Sequence, residues 1–264
     1  MTIAVPTTTR HWRSGLSHAM RSEWTKLVSL RSTKVTLLVT VAGTLLVTYL
    51  SSRSALHHSR QWYQGFDPTN QSLTGLAVGS LAIGVLGVLA MTGEYGAGTI
   101  RSSLAAVPRR EVLMSAKVLV VGLCTLVIGE ALSFASFFFG QAILSGGAPT
   151  ATLNQPGVVR AVALSGAFLA LFALLGLGLG AIIRHTAGAI AAFAGVTLLL
   201  PILLHGISGD PARFAPEIIF ANSVSAVVAQ QAGALSATIG TVLMVMYCAA
   251  ALIMGAAVLN RRDA

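Results

Sequence analysis

The chain has 264 residues, of which 55% are hydrophobic and only 9% are charged, and its mean hydropathy is +0.79. Soluble domains carry about 25% charged residues, so this composition excludes a soluble core beneath a charged surface. The formal net charge of +9 does not indicate nucleic-acid binding, because the cations lie between long apolar runs. These runs predict an all-α polytopic membrane protein that binds no nucleic acid.

A polar, basic segment precedes the first long apolar run. Residues 1–12 are predicted to be disordered, and residues 13–264 to form one transmembrane domain. Within it, residues 13–31 predict an amphipathic helix in the inner headgroup layer, with Trp24 as its interfacial anchor and Lys26 on its polar side. The alternative is a helix that packs on a soluble partner. The apolar positions of this helix are Leu16, Met20, Trp24, Leu27 and Val28.

Six apolar runs follow, each close to the ~20 residues that cross the hydrocarbon core of a bilayer. The segments that connect them contain most of the charged residues. The predicted spans are residues 35–52, 73–91, 118–144, 158–183, 187–207 and 238–259.

The distribution of lysine and arginine predicts how these spans are oriented. Cytoplasmic loops carry an excess of both residues. With the N-terminus inside, only Arg53, Arg60, Arg160 and Arg213 of the 17 cations fall on outside segments. Both termini are therefore predicted to be cytoplasmic, and membrane lipids are expected partners, since their headgroups are the counterions for this charge.

The first span carries threonines at intervals of four, which place four hydroxyls on one helix face. These hydroxyls either bond to backbone carbonyls and hold helices together or line a translocation path. The residues are Thr36, Thr40, Thr44 and Thr48.

Small residues spaced four apart recur in three other spans. This spacing lets helices approach closely, because lipid tails give no hydrophobic drive for association. It predicts a tightly packed bundle that associates with a second copy or a homologue. The pairs are Gly75 and Gly79, Gly176 and Gly180, and Ala191 and Gly195.

The most informative segment is the polar bridge over residues 94–117, between the second and third spans. In the predicted orientation it is the largest internal cytoplasmic segment, so another protein could act on the membrane part there. The bridge carries four of the chain's cations, Arg101, Arg109, Arg110 and Lys117.

The third apolar segment is unusually long. A helix from Val112 to Leu144 would run roughly 50 Å, so its first turns should project into the cytoplasm with Glu111 and Lys117. Glu130 then falls near mid-membrane, where an acidic side chain costs ~2.5–3.5 kcal/mol. It either lies on a transport path or in a hydrogen-bonded switch, or it is a packing carboxyl served by a hydroxyl such as Ser133.

Other candidate features are weaker. Residues 209–233 are half apolar and are expected either to dip into the outer leaflet or to form a plain external loop. The adjacent His57 and His58 lack further ligands nearby, and Cys124 and Cys248 fall inside spans. These residues predict no metal site and no disulfide.

No motif for ATP hydrolysis occurs in the chain. A phosphate-binding loop needs Gly-Lys followed by Ser or Thr, but the three lysines follow Thr25, Thr33 and Ala116. Zinc-protease and nucleophile-elbow motifs are missing as well. The chain is therefore predicted to be no enzyme and to have neither catalytic residues nor a cofactor, so any energy must come from a partner.

Two segments resemble bacterial ABC-2 type transporter permeases. The first is Arg21-Ser22-Glu23-Trp24-Thr25-Lys26-Leu27 with Arg31-Ser32-Thr33, before the first span. The second is Gly93-Glu94-Tyr95 with Gly98-Thr99-Ile100-Arg101-Ser102-Ser103-Leu104 and Pro108-Arg109-Arg110, after the second span. The order of an interfacial helix, six spans and a long last external loop is also similar to that family.

The resemblance implies a permease subunit that exports a hydrophobic or amphipathic compound across the bacterial cytoplasmic membrane. In such families the segment between spans two and three is a coupling helix that docks on a separate ATPase subunit, which binds the ATP. Two six-span units and two ATPase subunits form the transporter. Carried over residue by residue, the contact falls on Glu94, Gly98, Thr99, Arg101 and Arg109.

Two alternatives stay open. Glu94 and Arg101 could form a local ion pair in a solvated loop, worth ~0–1 kcal/mol if exposed. The whole chain could also be a membrane scaffold or sensor subunit that transports nothing and needs no ATPase.

Overall fold

The computed structural model describes residues 8–57, 65–100, 103, 109–205, 211–226 and 235–261, with side chains from residue 15 onward. Over these residues the regular elements are helical and no strand is present. The α-helices are α1 (Thr8–Ser29), α2 (Arg31–Ala55), α3 (Pro68–Leu73), α4 (Leu76–Gly96), α5 (Arg110–Leu144), α6 (Val158–Ile183), α7 (Thr186–Ala194), α8 (Leu200–Leu204), α9 (Pro216–Ser223) and α10 (Ala237–Arg261).

Six helical segments are long and apolar enough to cross a membrane, which confirms the prediction of an all-α polytopic membrane protein. They are α2, α3 with α4, α5, α6, α7 with α8, and α10. The fourth predicted span has the bounds of α6. The third is longer than its predicted span, since α5 is helical for 35 residues and extends about 50 Å. The predicted amphipathic helix is α1, which ends at Ser29 and is separated from α2 by the extended residue Leu30.

Helix α6 lies at the centre of the bundle. It packs closely against α4 at glycine positions, where the missing side chains leave notches in the helix surface. A methyl group built on Gly87 would fall 1.9 Å from the carbonyl oxygen of Ala173, and one on Gly176 would fall 2.1 Å from that of Gly84. The backbones therefore meet directly, which accounts for the small residues of the fourth span.

The threonine stripe of α2 packs against α4. Thr40, Thr44 and Thr48 are fully buried although most of α2 is exposed. A methyl group on Gly75 would fall 2.4 Å from Oγ1 of Thr48, and one on Gly79 would fall 2.6 Å from Oγ1 of Thr44. The hydroxyls therefore lie in a helix–helix contact, as the first interpretation of the stripe predicted, and do not line an open path.

The fifth span is irregular. Between α7 and α8 the chain makes a π-helical turn at Gly195–Leu199, just before Pro201. A proline inside a helix removes a backbone donor and clashes with the preceding turn, and a π turn is one way to absorb this defect. A methyl group on Gly195 would meet no atom within 4 Å, so the small pair of this span makes no close helix contact in the described part of the chain.

At the end of the bundle that holds α3 and α9, the Asp67 carboxylate connects two segments by hydrogen bonds. One carboxylate oxygen of Asp67 accepts hydrogen bonds from the backbone N–H groups of Thr69 and Asn70 and so caps α3. The other oxygen accepts from the Ser225 hydroxyl and the Ala226 N–H, each at 2.9 Å. This contact fixes the segment before the last span to the start of the second.

The segment over residues 211–226 is a structured part of the bundle. Its elements are the 3₁₀ turn Pro211–Phe214 and α9. Phe220 of α9 is buried, with its ring centroid 5.6 Å from that of Phe168 and 5.9 Å from that of Phe172, both on α6. Residues 216–223 are therefore helical and packed on α6, whereas the expected entry into the outer leaflet stays a prediction. The rest of the predicted loop lies outside the described residues.

The close contact between α4 and α6 predicts that alanine substitution of two glycines of α4 has different effects on stability. Gly87→Ala should destabilise the protein by about 1–3 kcal/mol or more, because its methyl group overlaps the α6 backbone. Gly93→Ala should be neutral or stabilising by up to ~1 kcal/mol, since a methyl group there meets no atom within 4 Å and alanine favours helix. Thermal unfolding of both variants in detergent measures the difference; equal melting temperatures would contradict this packing.

Candidate functional site

The candidate site lies at the end of the bundle where α1 meets the last turn of α4 and the first turns of α5; we term this the charged end. Helix α1 packs there on α5 through a small apolar cluster formed by Ala19 with Val112 and Ala116. Glu23 and Leu27 follow Ala19 at intervals of four, so they lie on the same buried face. The sequence of α1 therefore points a carboxylate into the bundle.

Four charged side chains meet at this point and form what we call the ion cluster: Glu23, Lys26, Glu94 and Lys117. Nζ of Lys26 lies 2.7 Å from Oε1 of Glu23 and 2.8 Å from Oε1 of Glu94. Nζ of Lys117 lies 2.7 Å from Oε1 of Glu94 and is also in contact with Oε2 of Glu23. Each lysine thus bridges both carboxylates, and the cluster joins α1, α4 and α5.

The ion cluster is buried and neutral in sum. Glu23, Glu94 and Lys117 are 3%, 8% and 2% exposed, and their charges are balanced by one another and by Lys26. Buried charges cost several kcal/mol each unless they are paired and hydrogen-bonded. Two further bonds contribute: Lys117 donates to the carbonyl of Ala90 at 3.1 Å, and Lys26 donates to Oγ of Ser103 at 3.0 Å.

Lys26 is the cluster member closest to water. Burial alone would lower the pKa of Lys26, but its hydrogen bonds and ion pairs with Glu23 and Glu94 outweigh this effect and raise the pKa above its usual value. Lys26 therefore stays charged at physiological pH. Because it also contacts Ser103, it connects the buried cluster to the bridge between the second and third spans.

The predicted contact residues of the bridge differ in burial and in backbone conformation. Glu94 is buried in the ion cluster, where it pairs with two lysines; the alternative of a local ion pair with Arg101 lies outside the described residues. Gly98 has φ +67° in the turn after α4, a conformation that favours glycine. The Thr99 hydroxyl lies 3.5 Å from the carbonyl oxygen of Glu94. Arg109 is exposed and precedes the first turn of α5.

Arg101 lies outside the described residues, as do residues 102 and 104–108. The predicted coupling helix falls largely on these positions, so it stays a prediction. What the structure does describe is the support on either side of them: the ion cluster at Glu94 and the start of a 35-residue helix at Arg110.

A second set of contacts ties the end of α10 to the same region. Arg110 of α5 donates to the carbonyl of Leu259 at 2.6 Å, and Arg184 donates to that of Val258 at 2.8 Å. Cations favour the C-terminal end of a helix, where carbonyls lack partners. The Arg184 guanidinium also lies over the Tyr95 ring, 5.3 Å from its centroid. The last span therefore ends beside the residue that follows Glu94.

Trp24 lies on the outer side of α1 and is 54% exposed, as expected for an interfacial anchor. Val28 of the predicted apolar face is exposed as well, and α1 also has a buried face that was not predicted, formed by Ala19, Glu23 and Leu27. The alternative that α1 packs on a soluble partner is replaced in part by its packing on α5 of its own chain.

Glu130 is half-buried on α5 against α6. Its carboxyl carbon would lie 2.6 Å from a methyl group built on Gly166, so the glycine makes room for it. Ser133 does not serve this carboxyl, because its hydroxyl donates to the Val162 carbonyl at 2.7 Å. The position fits a side chain that faces the neighbouring helix α6, and whether Glu130 has a functional or a packing role stays open.

Three charged residues outside the predicted site set have well-defined roles. Glu23 could have been found from its spacing with Ala19 and Leu27. Lys117, which the sequence placed on turns projecting into water, is buried beneath α1. Glu217 of α9 accepts from the Ser80 hydroxyl of α4 at 3.4 Å, and burial raises its pKa to about 7 although that hydrogen bond lowers it. No sequence pattern pointed to Glu217.

Among the residues that the structure describes, no group of three His, Cys, Asp or Glu side chains is placed to hold a metal ion. Cys124 and Cys248 are free thiols, and His58 lies outside the described residues. The chemistry of the candidate site is therefore that of a structural ion cluster, which holds helices together and contacts the bridge.

No protein-family model matches the chain, and no curated protein matches it. The class that the fold and site define is an all-α polytopic membrane protein whose first helix, α1, is fixed to the second and third spans by buried charges. The resemblance to ABC-2 type permeases stays a prediction that rests on residues 21–33 and 93–117.

The ion cluster predicts a charge-balance effect on stability. Lys117→Met should cost about 3–5 kcal/mol, because it leaves two buried carboxylates to one lysine. The double variant Glu23→Gln with Lys117→Met should recover much of that loss, since Glu94 and Lys26 remain as one pair. A double-mutant cycle on unfolding in detergent measures the coupling; additive losses would contradict the cluster.

Glu217 predicts a pH dependence of stability. Its folded pKa of about 7 exceeds that of an unfolded glutamate, so the folded state binds the proton more tightly and loses stability as pH rises from about 5 to 8. Glu217→Gln should remove about 2 kcal/mol of this loss. Melting temperatures at both pH values test it, with the exposed Glu111→Gln as control; an unchanged pH slope in Glu217→Gln would contradict the assignment.

Proposed function

We propose that the protein is the transmembrane subunit of an ATP-binding cassette transporter, powered by a separate ATPase that docks on the bridge after the second span. The observation that supports this most is the ion cluster. It includes Glu94 and Lys117, the two end residues of the bridge, and joins the interfacial helix to two spans, so a force on the bridge would act on three helices together.

The geometry of α5 fits this role. It starts inside the bridge, at Arg110, with Arg109 exposed just before its first turn, and continues for 35 residues. Its first turns are held by α1 and the ion cluster, and its middle packs against α6 through Gly129 and Gly166. A helix of about 50 Å with this packing is suited to carry a displacement from one membrane face to the other.

The absence of a phosphate-binding loop from the full sequence supports a partner as the source of energy. The exposed faces of α2, α7 with α8, and α10 are apolar and little buried. They provide room for a second six-span unit, either another copy or a homologue, as well as for lipid. The proposed cargo is a hydrophobic or amphipathic compound, and the proposed direction is export, both on the resemblance alone.

The excess of cations on one side supports a location in the bacterial cytoplasmic membrane with both termini in the cytoplasm. The contact of Arg110 with the carbonyl of Leu259 brings the start of α5 and the end of the last span to the same end of the bundle. This agrees with an even number of membrane crossings between the start of the third span and the end of the sixth.

The proposal predicts an ABC-type ATPase that copurifies with the full-length protein and depends on the bridge. Arg109→Glu should lower the recovered ATPase by roughly tenfold, because a reversed charge at a contact is repulsive. Quantitative mass spectrometry of the purified complex gives the ratio of the two chains.

The matched control is Arg53→Glu. Arg53 is an exposed arginine in the last turn of α2, far from the bridge, so this variant should leave the ratio of ATPase to membrane protein unchanged. If no ABC-type ATPase copurifies, or if both variants reduce it equally, the scaffold or sensor alternative is favoured. Stimulation of ATP hydrolysis by candidate amphipathic compounds in reconstituted vesicles then tests transport itself.

A further inference from the structure

An apolar groove of about 650 Å³ runs along the side of α1 that carries Met20, Arg21 and Trp24, and it is also lined by residues of α2, α4 and α5. On α5 its lining extends from Val120 to Ile128, which is about 12 Å along the helix. One leaflet contributes roughly 15 Å of hydrocarbon, half of the bilayer core. The groove is therefore comparable in length to one leaflet. Apolar side chains that line it include Leu27, Leu37, Leu86 and Val121.

Two cations line the same groove. Arg21 lies on α1 and Lys34 on the first turn of α2, and both are exposed. Within the described part of the chain neither has a carboxylate within 4 Å, in contrast to Lys26 and Lys117, which are neutralised in the ion cluster. Positive charge without a protein counterion thus lies beside an almost entirely apolar wall.

We propose that the groove binds an anionic phospholipid of the leaflet that surrounds the charged end. One acyl chain lies against Val120–Ile128, and the phosphate accepts hydrogen bonds from Arg21 and Lys34. Trp24, which lines the groove and is half exposed, lies at the level of the headgroup, where tryptophan is favoured. This site does not depend on transport or on an ATPase.

Charge complementarity selects this occupant over two others. A zwitterionic lipid brings a cationic headgroup close to two cations that have no neighbouring carboxylate. A free phosphate leaves the apolar wall uncovered. An anionic phospholipid satisfies both parts of the site, since its charge pairs with the cations and its chain covers the wall.

The site gives α1 two attachments on opposite sides. Its inner side is fixed by Glu23 to Lys117, and its outer side is held by the lipid through Arg21. Bound lipid would therefore fix the orientation of α1 relative to α2, across the extended residue Leu30.

The test uses the intrinsic fluorescence of Trp24 in the full chain. Trp12 and Trp62, the other two tryptophans, are replaced by Trp12→Phe and Trp62→Phe. The protein is reconstituted into phosphatidylcholine vesicles that contain a minor share of either brominated phosphatidylglycerol or brominated phosphatidylcholine. Brominated phosphatidylglycerol should quench Trp24 more strongly at equal content, and its preference should fall roughly fivefold for each cation removed by Arg21→Gln or Lys34→Gln.

The matched control removes two exposed cations of the charged end that do not line the groove, Arg109→Gln with Arg261→Gln, and should keep the preference. Elution as a single species confirms that each variant is folded. Equal quenching by the two lipids would overturn the proposal in favour of unselective lipid contact. Quenching by neither would mean that protein covers the groove, and a preference that survives removal of both groove cations would exclude them as the headgroup site.

Discussion

The structure depends on the pairing of Lys117 with Glu23 and Glu94, which lets three charged side chains be buried, with the partly exposed Lys26 balancing their charge. Without this pairing, the inner face of α1 would carry an uncompensated carboxylate and could not lie on α5. With it, α1 becomes part of the bundle although it crosses no membrane. The same contact sets the position of the bridge, because Glu94 lies at the end of one span and Lys117 near the start of the next. Packing, charge and proposed function therefore meet at one place.

The spans could be predicted because bilayer thickness constrains them. A run of about 20 apolar residues has few alternatives to a membrane helix, so the predicted fourth span has the bounds of α6. The glycine pairs of the second and fourth spans also predicted close contacts, since small residues have few other uses in lipid. Which helix packs against each glycine pair could not be predicted, because any other span could make a close contact with small residues. Nothing in the sequence placed the π turn before Pro201.

The site was predictable only in part. Local patterns located the bridge and the residue types in it, but Glu94 pairs with residues 68 and 23 positions away in the chain. Its burial follows from how three helices meet, which no short motif encodes. Glu217 shows the same limit more strongly: its Ser80 partner is 137 residues away. Spacing within one helix, in contrast, would have been sufficient to place Glu23 on the face of Ala19 and Leu27, although it was not used for this.

The separation of 94 residues between Glu23 and Lys117 also has a consequence for biosynthesis. Translation adds about 5–20 residues per second, so Glu23 is synthesised roughly 5–20 seconds before its partner lysine. During this interval Glu23 has Lys26 as its near neighbour on the same helix, and α1 has no α5 on which to dock. Helix α1 can therefore reach its packed position only after the third span has been made, and the bridge is supported from both sides only when that lysine is present.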